Sequence, residues 1–243
     1  MRTGLILASS LMLGACNMAA DAQSGSEDGG QRSQRSFDLA GFDAVSLAGP
    51  HDVIVAVGPR HSVRAEGDSR ALERLKIEVD GSSLKIGMER GNWSMGWKRN
   101  TPRTTIHVTL PAIRAAAIAG SGDMRVDRVE SSRFAASIAG SGDLQIGSLR
   151  TRDADFSIAG SGGITASGSA DSADISIAGS GDVNLQGVEI RTASVSIVGS
   201  GDVRARAMET ANVSIMGSGD VDLTGTARCT VNKKGSGSVR CGG

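Results

Sequence analysis

From residue 114 to residue 243, apolar and polar positions alternate around a recurring Gly-Ser-Gly triplet. The triplet begins at Gly120, Gly140, Gly160, Gly179, Gly199, Gly217 and Gly235, in steps of 20, 20, 19, 20, 18 and 18 residues. Two positions before it stand Ile118, Ile138, Ile158, Ile177, Ile197 and Ile215, then Lys233. Four positions after it stand Met124, Leu144, Ile164, Val183, Val203, Val221 and Val239. On both sides of the triplet every second residue is apolar, which is the period of a strand with alternate side chains turned inward. Each repeat is therefore predicted to hold at least two short strands meeting at a glycine corner. Regular self-similarity of this length marks a solenoid, and disorder would not keep the register. No six-residue apolar period is present, so a left-handed hexapeptide helix is excluded. The expected fold is all-β: a slim right-handed parallel β-helix, its handedness inferred from the twist and crossover preferences of L-residues.

Residues 37–113 lack the triplet but keep the alternation. Asp43–Leu47, Asp52–Val57, Leu75–Val79, Leu84–Gly87 and Thr105–Leu110 read as strands, separated by turn signals such as Gly49-Pro50 and Asp80-Gly81. Ser69–Arg74 reads as a short helical turn with Ser69 as its cap. A stack of coils exposes strand edges at its ends, so 37–113 is predicted to be a β-rich cap merging into the 114–243 solenoid. The segment from Arg90 to Pro102 carries both tryptophans, Trp93 and Trp97. It is either a plug or flap over the rod, or a binding loop, since tryptophan is favoured at interfaces.

The order Gly41-Phe42-Asp43-Ala44-Val45, Asp52-Val53-Ile54-Val55, Glu66-Gly67-Asp68, Leu84-Lys85-Ile86 and Ile106–Pro111, followed by the Ile138-Ala139-Gly140-Ser141-Gly142-Asp143 type of repeat, resembles the GIN-domain family of auto-transporter adhesin heads. The resemblance covers about 37–243. It implies a right-handed β-helix in a bacterial envelope protein with no established activity. An auto-transporter also needs a C-terminal membrane barrel. The sequence stops at Gly243 directly after the last coil, so the expectation is a head without the transport half.

At the other end, Arg2 followed by the apolar stretch Leu5–Leu13 reads as an export signal, too short for a stable bilayer span. Leu13-Gly14-Ala15-Cys16 resembles a bacterial lipobox. It implies cleavage of residues 1–15 and acylation of Cys16, hence a membrane partner reached through lipid. The alternative is plain export with cleavage after Ala20-Asp21-Ala22. Asn17 after the cysteine favours the outer membrane of a Gram-negative cell. Residues 16–36 are polar and without period, and are expected to be a flexible tether.

Composition narrows the function. The 26 basic and 26 acidic residues cancel, so no net field draws the chain to nucleic acid. Two Trp, four Phe and no Tyr leave few faces on which to stack a sugar or a base. The three histidines, His51, His61 and His107, lie outside the repeats, and no nucleophile elbow, phosphate loop or zinc spacing occurs. The chain is read as non-catalytic and without cofactor: an adhesin-head-like binding or scaffold module of the envelope, with an envelope protein or a glycan as partner. The alternatives are a purely structural envelope component and a polysaccharide-active β-helix enzyme.

Three sets of residues stand out. Asp123, Asp143, Asp182, Asp202 and Asp220 each stand three positions after a corner, a column interrupted by Gly163 and ended by Ser238. Stacked carboxylates repel, so the column either holds cations or accepts hydrogen bonds from turn amides, with Arg125, Arg204 and Arg206 as counter-charge. Ser137, Ser157, Ser176, Ser196 and Ser214 form an outward hydroxyl column. Finally, Cys241 falls in an inward column and Cys229 in the column of Ala154, Ala173, Ala193 and Ala211, so the two should meet within the last coil. An exported protein keeps such a bridge; two free thiols are the alternative.

Overall fold

The computed structural model describes residues 31–89 and 103–242. Its architecture is mostly β, with a β-solenoid of about 6 turns in the C-terminal part and a mixed sheet in the N-terminal part. In chain order the elements are β1 (Arg32–Phe37), β2 (Ala44–Ala48), β3 (Asp52–Val57), β4 (Ser62–Asp68), α1 (Ser69–Glu73), β5 (Leu75–Asp80), β6 (Ser83–Met88), β7 (Thr105–Leu110), β8 (Ala115–Gly120), β9 (Met124–Glu130), β10 (Arg133–Gly140), β11 (Asp143–Gly160), β12 (Gly163–Gly179), β13 (Asp182–Gly199), β14 (Asp202–Gly217), β15 (Val221–Thr224), β16 (Arg228–Gly235) and β17 (Val239–Cys241).

Each coil has three faces. In β11 the first residues, Asp143–Ile146, run along one face, Leu149–Thr151 along a second and Asp153–Gly160 along a third, and the corner then turns into the next coil. Residues 144, 146, 149, 151, 154, 156 and 158 point inward and are buried, while their neighbours face water. Parallel pairing stacks identical columns: Ile138 on Ile158 on Ile177 on Ile197 on Ile215. All are at most 2% exposed. Each such isoleucine contributes about 2 kcal/mol by burial, which is how the repeated aliphatic positions hold the stack together. Coils of unequal length are reconciled by register shifts between Ile146 and Leu149 in β11, and between Leu185 and Glu189 in β13. These shifts lie at the bend after the second inward residue, where an added or missing residue leaves the corner columns aligned.

The solenoid starts earlier than the triplets indicate. Strand β2 pairs in parallel with β8, and β3 with β9. Gly49-Pro50-His51 therefore lies over Gly120-Ser121-Gly122, with the Gly49 amide donating to the Ala119 carbonyl and the Gly122 amide to the Gly49 carbonyl. Gly49 has φ +123°, like the later corner glycines. Strands β6 and β7 add a further parallel level on the far sides of β2 and β3. The cap is made by reversing direction: β5 pairs antiparallel with β6, β4 with β7, and β1 with β4.

Two local expectations are corrected. Arg32–Ser36, assigned to the tether, lie within edge strand β1, because β4 offers a free edge for them to pair with. The cap of α1 is Asp68 and not Ser69: the Asp68 carboxylate accepts from the amides of Arg70 (2.9 Å) and Ala71 (3.4 Å).

Candidate functional site

The aspartate column lies on the face that follows each corner, and its order comes from the backbone. Because the coils stack in register, the residue three after one corner sits beside the residue three after the next. Asp123 Oδ1 accepts from the Asp143 amide at 3.0 Å, and Asp143 Oδ1 from the Gly163 amide at 2.8 Å. Asp182 accepts from Asp202 at 3.3 Å, Asp202 from Asp220 at 3.0 Å, and Asp220 from both the amide (2.7 Å) and hydroxyl (2.9 Å) of Ser238. Each carboxylate thus satisfies the amide of the next coil rather than one in its own turn. Gly163 has no carboxylate to offer, and there the Asp182 amide donates to the Gly162 carbonyl instead at 3.2 Å. The Asp220 carboxyl is held below the usual carboxylate range, first by the two Ser238 hydrogen bonds and then by the nearby Arg240 and Lys233. No group of three or more His, Cys, Asp or Glu suited to a metal is found among the described residues.

At the cap end the same face deepens into an open groove of about 590 Å³, lined by Asp52, Ile54, Thr105, Asp123, Arg125 and Gln145 among others. Arg103 reaches both Asp52 (3.3 Å) and Asp123 (3.4 Å), so one guanidinium relieves the repulsion between two stacked carboxylates. Arg125, expected to balance the aspartates, donates from Nε to Gln145 Oε1 at 2.8 Å. Ile54 is 37% exposed in the groove. Sequence reading missed Asp52, Ile54 and Arg103 as members of this face. A signal existed for the first: Asp52 stands three after Gly49, the same offset as the aspartates that follow the Gly-Ser-Gly corners.

The serine column is in register on the face before each corner, Ser137 beside Ser157, Ser176, Ser196 and Ser214, all facing solvent. Cys229 and Cys241 are joined by a disulfide linking β16 to β17, with Cα atoms 6.4 Å apart. Cys229 is half-buried against the core, and Cys241 is exposed. Of the histidines, His61 donates from Nε2 to the Phe42 carbonyl at 2.9 Å and meets the Phe42 ring edge-on. His107 pairs in register with Ile54 on one side and Arg64 on the other. His51, placed outside the repeats by sequence, occupies the third position of the Gly49 corner. It is 1% exposed, and neither ring nitrogen has a partner among the described residues. Burial pushes its pKa below the ordinary histidine value, with Asp52 opposing. Cys16, Trp93 and Trp97 lie outside the described residues.

A parallel solenoid with an antiparallel cap, repeating one outward pattern from coil to coil, defines a class of elongated β-solenoid domains. The chain belongs to the GIN-domain family, described as "Putative auto-transporter adhesin, head GIN domain", which matches residues 41–227. Its fold is similar to that of a "putative adhesin" from Bacteroides fragilis, with a TM-score of 0.77 at 17% identity over 86% of this chain and 96% of that one. It is also similar to a "putative lipid binding protein" from Parabacteroides distasonis (TM-score 0.69, 20% identity, 86% and 96% covered). A third likeness is to a "putative adhesin" from Parabacteroides merdae (TM-score 0.67, 17% identity, 86% and 95% covered). Among curated proteins none matches the chain.

Proposed function

We propose that the chain is a non-catalytic envelope lipoprotein, held by lipid on Cys16, whose solenoid presents a repeating surface to an envelope protein or glycan. The observation that carries this reading is the in-register repetition of outward side chains. Serine columns on one face and aspartates on another recur at the strand spacing of about 4.8 Å. A repeating array suits a partner that is itself repetitive or extended, because each added rung adds an equivalent contact. The groove at Asp52, Ile54, Asp123 and Arg125 supplies a mixed polar and apolar concavity on the aspartate face.

Two measurements test it. Labelled palmitate should enter the wild-type chain and be lost in Cys16→Ser; incorporation that persists in the variant removes the anchor. Purified protein should be retained saturably on cell-envelope fractions, and Arg125→Glu with Ile54→Ser should weaken retention about tenfold, as expected for loss of a central contact pair. Retention that is absent, or unchanged in that variant, rejects the groove. Release of sugars from envelope glycans would replace the binding reading with the enzymatic one.

A further inference from the structure

Large exposed aliphatic side chains are unevenly spread among the described residues. Ile54 is near the cap, while Val198 (54% exposed), Met216 (57%) and Val231 (46%) gather toward the opposite end. Val198 and Met216 are direct neighbours in register, in the outward column that holds Ala119, Ala139, Ala159 and Ala178 in earlier coils. Lys234 continues that column. Val231 belongs to an inward column, but β16 pairs through the ladder with β14 alone, so its side chain is left open at the end of the stack.

Charge changes sign at the same place. From residue 114 to 224 there are nine basic and fourteen acidic residues; from 225 to 243 there are Arg228, Lys233, Lys234 and Arg240 and no acidic residue. Lys233 Nζ is turned back onto the Gly237 carbonyl at 2.6 Å. Arg228 and Lys234 have no carboxylate partner among the described residues, and Arg240 is near Asp220 and in register with Asp222. Aliphatic side chains and cations therefore gather along the edge formed by the last rungs, with Val198, Met216 and Lys234 in one outward column and Val231 on the open end of the stack.

We propose that this edge docks on an anionic phospholipid surface, with Val198, Met216 and Val231 entering the headgroup layer and Arg228 and Lys234 meeting lipid phosphates. Charge complementarity selects an anionic partner. The three aliphatic side chains favour a membrane over a hydrated polyanion, which offers them nothing apolar to enter. The edge lies at the far end of the stack from β1, where the chain leads in from its N-terminus. Nine parallel levels, from β6 to β16, separate the two ends by roughly 40 Å. A molecule held by its N-terminus on one membrane thus carries a second membrane contact at its tip. The proposal goes beyond the lipoprotein reading and does not depend on Cys16.

The test uses the exported chain carrying Cys16→Ser, so that no acyl chain contributes, in co-sedimentation with vesicles of phosphatidylcholine alone or of equimolar phosphatidylcholine and phosphatidylglycerol. Binding should appear on the anionic vesicles and fall with added salt. It should weaken about fivefold for each of Arg228→Gln and Lys234→Gln, and about tenfold for Val198→Ser combined with Met216→Ser. All four positions face outward or lie in the final rung, and matching thermal melts verify that the variants fold. Equal binding to both vesicles overturns the proposal, as does indifference to the cation variants. Competition by dextran sulfate together with indifference to Val198→Ser and Met216→Ser also overturns it, in favour of a soluble polyanion.

Discussion

Glycine at the corners answers two demands at once. Gly140 has φ +139°, a conformation costly to any residue with a Cβ. Gly142 has an ordinary φ but no space, since an added Cβ would be driven into the Gly122 carbonyl oxygen of the preceding coil. The serine between them faces water and is free of both demands. Gly163 is a different case, because it replaces an aspartate and not a corner residue. A Cβ there would meet Asp143 Oδ1 at 3.0 Å, with Asp143 Cγ and the Asp182 carbonyl oxygen at an ordinary 3.8 Å, and its φ is not in the left-handed region. Gly163→Asp should therefore give the Asp182 amide a carboxylate acceptor, as every other link in the ladder from Asp123 to Ser238 has. Removing the glycine also lowers the entropy of the unfolded chain, worth about 0.4–1 kcal/mol. Thermal or denaturant unfolding at moderate salt should show a gain of about that size. A loss of 1 kcal/mol or more would mean that crowding or repulsion at Asp143 outweighs the restored hydrogen bond. The position of each ladder aspartate was legible in the sequence, because a fixed offset from a glycine corner survives stacking. Its partner was not, because the accepted amide belongs to the next coil, about 20 residues away, and is backbone.

At the scale of elements, the cap is a solenoid that has been interrupted. Strands β2 and β3 make the two faces on either side of a corner, but the chain rejoins the stack only at β8, after an excursion through β4 to β7. The sequence hid this for a physical reason. Its corner reads Gly-Pro-His and not Gly-Ser-Gly, and 71 residues separate Gly49 from Gly120, so no local period links them. The preceding level explains why a histidine is tolerated at the corner's third position. Later corners place a glycine there because the previous corner's backbone fills the space, whereas β6 and β7 are joined by a longer segment and not by a corner triplet. The result is a buried imidazole in the topmost corner, and with it a pH dependence. The folded state favours neutral His51, while the unfolded chain protonates near the ordinary value of about 6.5. Below that pH the unfolded state binds the extra proton, so stability falls with pH until the lower folded pKa is passed. The melting temperature of the wild type should accordingly drop from about pH 6.5 downward, more steeply than that of His51→Asn. Parallel curves for the two proteins would show that His51 is not the titrating group.

Across the whole molecule, stability is nearly one-dimensional. Each coil touches only its two neighbours, so the energy is a sum of rung terms and interfaces, and the ends are the weak points. The N-terminal end is closed by antiparallel strands and α1. The final rung is built differently. Val231 is open, Lys233 stands where each earlier coil with a Gly-Ser-Gly corner has isoleucine, and β17 is three residues long. Its inward columns bury too little to hold it by themselves, and the Cys229–Cys241 bridge ties its two strands together. The pairing of these cysteines was readable because both fall in inward columns of one coil; the openness of that coil was not, since alternation looks the same whether or not another rung covers it. A disulfide closing a loop of this size contributes about 3 kcal/mol. In a one-dimensional stack that loss stays local. Reduction, or Cys229→Ser with Cys241→Ser, should therefore raise hydrogen exchange by about a hundredfold in residues 228–241 while leaving amides of β11 to β13 protected and the main melting transition nearly unmoved. A fall of the whole transition by 10 °C or more would instead mean that the solenoid unfolds as one cooperative block nucleated from its last rung, and the rung-by-rung account of its stability would have to be given up.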